Sequence, residues 1–147
     1  MRKIIAIVFI FFNTVAYTAN IKDAQNVYNR LLQSNGIKYH PMLRLSESKE
    51  VNASETRRYI TINRGMLNFV RNNAELAIVL GHELGHFLRG DGSSKPSREY
   101  AADAIGAKLA NKAGYPVCKG AQVLRRFGDK GSSTHPDSAS RYKALGC

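Results

Sequence analysis

Apolar side chains change their period several times along this chain, and each change marks an element. Ile21, Ala24, Val27, Tyr28, Leu31 and Leu32 recur at the spacing of an amphipathic helix, with Asn20 placed to cap its start and Gly36 just past its end. Met42-Leu43-Arg44-Leu45 and Arg58-Tyr59-Ile60-Thr61-Ile62 alternate instead, as half-buried strands do, and together predict a small antiparallel sheet. From Arg64 the period turns helical again, through Met66, Leu67, Phe69 and Val70 and then Leu76, Ile78, Val79, Leu80 and Leu84, with Asn72 or Asn73 able to cap the second segment. Residues 90–97 read as a loop and 98–113 as a helix stopped by Gly114 and Pro116, and two short helices near 119–127 and 137–145 finish the chain. No repeat or long linker interrupts this order. The expected fold is α+β: mostly helical, with a small antiparallel sheet beside the helix that carries residues 75–86.

The first residues read as an address. Basic Arg2-Lys3, an apolar run at residues 4–12 and a small polar region at 13–20 make a secretory signal peptide spanning 1–19, with its cut site between 16 and 20. Its apolar core falls well short of the roughly 20 residues a spanning helix needs, so cleavage is favoured over retention as a membrane anchor. One domain, 20–147, remains. The expected location is exported, periplasmic or secreted. In such a compartment Cys118 and Cys147, the only two cysteines, are expected to form one disulfide, with two separate thiols as the alternative. The closed loop contains His135, so opening it is expected to loosen that residue.

Composition adds little until charge is counted. Apolar residues make up 44% and charged residues 22% of the 147, ordinary globular proportions that argue against a disordered or multi-span membrane chain. The net charge is +11, of which Arg2 and Lys3 in the leader carry two. From residue 108 onward Lys108, Lys112, Lys119, Arg125, Arg126, Lys130, Arg141 and Lys143 outnumber Asp129 and Asp137. Such a run is usually a solvated face, but it also suits peripheral contact with an anionic envelope surface. No helix-turn-helix, zinc-finger or RNA-binding signature accompanies it, and no nucleic-acid partner is expected.

The chemistry concentrates in His82-Glu83-Leu84-Gly85-His86. Four residues is just over one helical turn, so both imidazoles project from one face and can bind a single Zn2+, while Glu83 beside them reaches a metal-bound water. A catalytic zinc needs a third protein ligand. His40, His135 and Glu99 are the candidates, and Glu99 stands four residues before Asp103 on the 98–113 helix. That spacing puts both carboxylates on one face, so that Glu99 can bind the metal while Asp103 accepts a hydrogen bond from a ligating imidazole and fixes its tautomer.

These residues resemble a known family, the HtpX-like and CAAX prenyl endopeptidase-like zinc metallopeptidases, a gluzincin group with a zincin-type fold. The resemblance runs through Val51-Asn52-Ala53, residues 60–67, Glu75-Leu76-Ala77 and Gly81-His82-Glu83-Leu84-Gly85-His86. It continues through Glu99-Tyr100-Ala101-Ala102-Asp103 and Ala113-Gly114-Tyr115 to Ser133-Thr134-His135-Pro136 and Arg141. It implies one zinc per chain held by His82, His86 and Glu99, with Glu83 as general base and an active-site role for His135. It also implies that Asn52 and Ala53 belong to a sheet edge along the zinc cleft, able to pair with an extended peptide.

Independently of the resemblance, a hydrolase of this kind needs a donor for the developing oxyanion, and His135, on a loop held by Pro136, can supply it. Arg141 is placed to orient that loop or to pair with Glu99 or Asp103. The function expected is zinc-dependent endopeptidase action by a monomer on protein or peptide substrates in the envelope. The alternative is a non-catalytic zinc-binding module that binds anionic envelope surfaces.

Overall fold

A computed structural model describes residues 17–90, 95–132 and 135–147 of the chain. Most of the leader, and Ser133-Thr134 ahead of His135, lie outside the described residues. Helix α1 (Ile21–Asn35) opens on a reciprocal cap: Asn20 Oδ1 accepts from the backbone N–H groups of Lys22 and Asp23, and the Asp23 carboxylate accepts from the N–H of Asn20. It ends at Gly36, whose φ of 67° is the left-handed conformation that closes a helix. Ala24, Val27, Tyr28, Leu31 and Leu32 are buried as the sequence pattern marks, while Ile21, the first residue of that pattern, is exposed.

Three strands follow: β1 (Met42–Ser46), β2 (Ala53–Glu55) and β3 (Tyr59–Asn63), in the spatial order β1-β3-β2. The sheet is mixed, which corrects the antiparallel expectation. β2 and β3 form an antiparallel hairpin, with Ala53 opposite Ile62, whereas β1 and β3 run parallel, with Met42 opposite Tyr59. Alternation of apolar and polar residues reports which face is buried and is blind to strand direction. The three-residue Ala-Ser-Glu strand that reverses the chain between β1 and β3 is too short to announce itself. Ile60 and Ile62 are fully buried on the inner face. On the outer face Arg44 lies over the Tyr59 ring, 4.3 Å from its centre, and donates to Thr61 Oγ1.

The helical part comprises α2 (Arg64–Phe69), α3 (Asn73–Arg89), α4 (Pro96–Lys112), α5 (Val117–Gly120), α6 (Gln122–Phe127) and α7 (Ser138–Ala144). Asn72 caps α3, and Pro96 opens α4 two residues earlier than the pattern suggests, at the first position where its missing N–H costs nothing. The segment expected as one helix near 119–127 is two, α5 and α6. One cluster of buried apolar side chains joins α1, β3, α2, α3, α4 and α6, and half-buried Val117 of α5 packs against it. No helix among the described residues is long and apolar enough to cross a membrane.

Helix α3 runs through the middle of this arrangement, and its contact with α4 is unusually close. A Cβ placed on Gly81 would come 2.8 Å from the Gly106 carbonyl oxygen, one on Gly85 2.7 Å from that of Ala102, and one on Gly106 2.6 Å from the backbone nitrogen of His82. Gly81 and Gly85 on α3 thus meet Ala102 and Gly106 on α4, two pairs of small residues at i, i+4. At the other end of α3, Glu75 is buried and takes both guanidinium nitrogens of Arg126 at 2.6 Å, together with the backbone N–H of Arg71. Arg126 also donates to the Phe69 carbonyl, and the Phe69 and Phe127 rings stack with centroids 5.4 Å apart. This pair holds α6 against the start of α3.

Since the α3–α4 approach leaves no room for a methyl group, Gly106→Ala should destabilise the fold by about 1–3 kcal/mol, as overpacking of a tight core does. Urea denaturation in the presence of a chelator checks this, free of any contribution from bound metal; an unchanged midpoint would show that the helices separate at no cost.

Candidate metal centre

Helix periodicity places His82 and His86 on one face of α3, and the close approach of α4 brings Glu99, in its first turn, opposite them. The two imidazole Nε2 atoms are 3.1 Å apart, His82 Nε2 is 3.4 Å from Glu99 Oε2, and His86 Nε2 is 3.4 Å from Glu99 Oε1. Bonds of about 2.0–2.1 Å to a tetrahedral zinc would set its donors about 3.3–3.4 Å from one another. The imidazole nitrogens and the two oxygens of Glu99 are thus spaced about as the donors of one such ion, and two nitrogens with one carboxylate are the donor set a catalytic zinc takes. His40 is far from this role: its Nδ1 lies against the Pro41 carbonyl and its ring meets Tyr28 edge-on.

Behind His82 stands Asp103, one turn after Glu99. His82 Nδ1 lies 2.8 Å from Asp103 Oδ1, and since a carboxylate only accepts, Nδ1 carries the proton and Nε2 presents its lone pair to the metal position. Asp103 is itself gripped by Arg141 of α7, whose Nε donates to Oδ2 and whose Nη2 donates to Oδ1, each at 2.7 Å. Of the roles open to Arg141 in the sequence, orienting the His135 loop or pairing with Glu99 or Asp103, the pairing with Asp103 is the one found.

Electrostatics follow from this crowding. Burial alone would raise the Glu99 carboxyl, but hydrogen bonds to His82 and His86 outweigh it and hold Glu99 far below the usual carboxylate range. Burial likewise opposes ionisation of Asp103, and the Arg141 fork overcomes it. The His82 ring, which burial would push down, is raised to about 9 by its bonds to Asp103 and Glu99. The negative potential of two buried carboxylates that draws protons onto these imidazoles also draws a divalent cation.

Glu83, buried next to His82, lines the same cavity of about 390 Å3. Its carboxylate accepts no hydrogen bond among the described residues, and burial pushes it above its ordinary value, against the pull of His82 and His86. His135 reaches the cavity from the loop before α7, with Nε2 4.0 Å from Glu99 Oε1 and about half its side chain exposed. Residues 51–55 form one rim: β2 is an edge strand, and of the two residues expected there Ala53 begins it while Asn52 precedes it, its carbonyl accepting from the N–H of Asn63. Met66, Ile78, Val79, Val123, Leu124 and Phe127 make an apolar wall. The structure thus brings together His82, Glu83, His86, Glu99, Asp103, His135, Asn52 and Ala53.

Cys118 and Cys147 are disulfide-bonded, with Cα atoms 5.3 Å apart. The small residues Gly81, Gly85, Ala102 and Gly106 do carry a signal in the sequence, the repeated four-residue spacing, whereas no local spacing reveals the Glu75–Arg126 pair. Arg126 and Arg141, part of the basic run, are withdrawn into ion pairs, while Lys108, Lys112, Lys119, Arg125, Lys130 and Lys143 remain exposed.

The sequence model of peptidase family M48 matches this chain over residues 18–95 and 93–146. No curated protein matches it.

With ligands assigned in this way, His82→Ala, His86→Ala and Glu99→Ala should each sharply lower the zinc content of purified protein, and His40→Ala should leave it unchanged. Atomic absorption decides; full occupancy in Glu99→Ala would give the third position to another residue.

Proposed function

The chain belongs to peptidase family M48, the zinc-dependent metallopeptidases, and on that premise we propose that it is an endopeptidase with one zinc per chain, acting on exported or envelope proteins. The observation that carries this reading is the close cluster of His82, His86 and Glu99, whose donor atoms lie within 4.8 Å of one another, with Glu83 in the same cavity. A bound zinc supplies the positive charge that acidifies water and polarises the peptide carbonyl.

The chain's own residues do the rest. Glu83 takes a proton from the attacking water and returns it to the leaving nitrogen; a carboxyl raised by burial suits both directions of that transfer. His135, at the mouth of the cavity, donates to the oxygen that gains charge as the carbonyl carbon becomes tetrahedral. The rim at residues 51–55 offers backbone groups to an extended substrate, which therefore is recognised chiefly through its main chain. Asp103 keeps His82 in the tautomer the metal requires. A zinc-binding module without catalysis would gain nothing from Glu83, a buried carboxylate with no hydrogen bond among the described residues, and desolvating such a group is costly.

Export is the companion proposal. The leader pattern at residues 1–19 supports it, and a disulfide between the only two cysteines suits an oxidising compartment. The exposed lysines from residue 108 onward suit contact with an anionic surface there.

Two substitutions test the mechanism. Glu83→Gln should keep zinc and fold while cleavage of casein falls by about 10²–10⁴-fold; near-native turnover in that variant would sink the assignment. His135→Ala should lower kcat by about 10²–10³-fold with little change in KM, as loss of an oxyanion donor does. Peptide hydrolysis measured in progress curves separates the two constants, and a change confined to KM would make His135 a binding residue instead.

A further inference from the structure

The sequence placed every expected metal ligand ahead of Cys118, which suggests that the disulfide loop bears only on His135. Arg141 lies inside that loop and reaches the metal centre by another route. Its side chain is about nine-tenths buried, and its two 2.7 Å bonds to the two oxygens of Asp103 fix the plane of that carboxylate. Oδ1 of the same group receives His82 Nδ1 at 2.8 Å. A carboxylate held on one oxygen alone could turn about its Cβ–Cγ bond; held by the fork, it presents Oδ1 to His82 in one direction.

We propose that Arg141 is a positioning residue for the metal centre, acting through Asp103 on His82, and that the Cys118–Cys147 bond keeps in place the helix that delivers it. Helix α7 has seven residues, too few to persist by backbone hydrogen bonding alone, so its position depends on what ties it down. The ties are few. Gln122 Nε2 donates to the Tyr142 hydroxyl, Arg125 lies over the Tyr142 ring, Arg141 grips Asp103, and three residues past the helix end Cys147 is bonded to Cys118. Cys118 sits on α5, where Gly120 packs directly on the Ala74 carbonyl at the start of α3. The disulfide therefore ties the end of α7 to α5, which itself packs on α3, the helix that carries His82. Lysine cannot replace the fork, because one ammonium cannot hold both carboxylate oxygens in a plane.

The inference rests on the reading of His82, His86 and Glu99 as zinc ligands, and the experiment separates the two. Zinc affinity of the full chain is measured by competition with a chromogenic chelator for the wild type, Arg141→Met, Asp103→Asn, the double variant, Arg141→Lys, and Cys118→Ser with Cys147→Ser alone and combined with Arg141→Met, each checked for fold by circular dichroism. Arg141→Met and Asp103→Asn should each weaken zinc binding about 10–100-fold. The double variant should be no weaker than the worse single one, and Arg141→Lys should restore only part of the loss. Removing the disulfide should weaken zinc in the wild-type background and have no further effect once Arg141 is Met. The visible spectrum of the cobalt-substituted protein should shift in Arg141→Met, since it reports ligand orientation. A wild type that binds no zinc overturns the metallopeptidase reading and this inference with it. A wild type that binds zinc, with a folded Arg141→Met of equal affinity or with additive losses in the double variant, overturns the positioning role alone.

Discussion

The contact on which everything else depends is the one between the backbones of α3 and α4. Glu99 is a short side chain at the start of α4, and it can stand 3.4 Å from both imidazoles of α3 only if the two helices approach more closely than side chains normally allow. Gly81, Gly85, Ala102 and Gly106 permit that approach, two residues on each helix, interleaved with the residues that do chemistry. His82 follows Gly81, His86 follows Gly85, and Asp103 follows Ala102. The spacing that aligns the small residues along one edge of each helix also aligns the ligands along the adjoining edge, because both obey the same 3.6-residue turn.

Charge is arranged around this contact by burial. Three acidic side chains are buried around it, Glu83 on α3 and Glu99 and Asp103 on α4, which is costly unless each has a counterpart. Glu99 faces the imidazoles and Asp103 faces Arg141 and His82. Glu83 has only the cavity in front of it, and that is the position a proton carrier needs. A second buried acid, Glu75, stands at the other end of α3 and is paired with Arg126, so α3 is held at one end by an ion pair from α6 and at the other by a network reaching α7. The apolar wall of the cavity, which includes Leu124 and Phe127 of α6, is placed by the first of these pairs.

Helices α5, α6 and α7 are each seven residues or fewer, and none would be stable alone. They are set by tertiary ties: the Gly120–Ala74 backbone contact, the Phe69–Phe127 stack, the disulfide and the two arginine pairs. The basic C-terminal third accordingly divides by function. Arg126 and Arg141 serve the interior, and the exposed lysines account for the surface charge.

What could be read from the sequence alone is what local periodicity dictates. The pattern of Ile21 to Leu32, the caps at Asn20 and Asn72, the pairing of His82 with His86 and of Glu99 with Asp103 all follow from 1.5 Å of rise and 3.6 residues per turn, and each needs only a few consecutive residues. Strand direction, the partner of Arg141, the burial of Arg126 and the depth of the α3–α4 contact do not. Each depends on segments from 17 to more than 50 positions apart being brought together by the whole chain, and alternation or charge in one segment is compatible with several partners in another. In the sequence Arg141 has two candidate carboxylate partners, Glu99 and Asp103, and only the packing of α7 against α4 chooses between them.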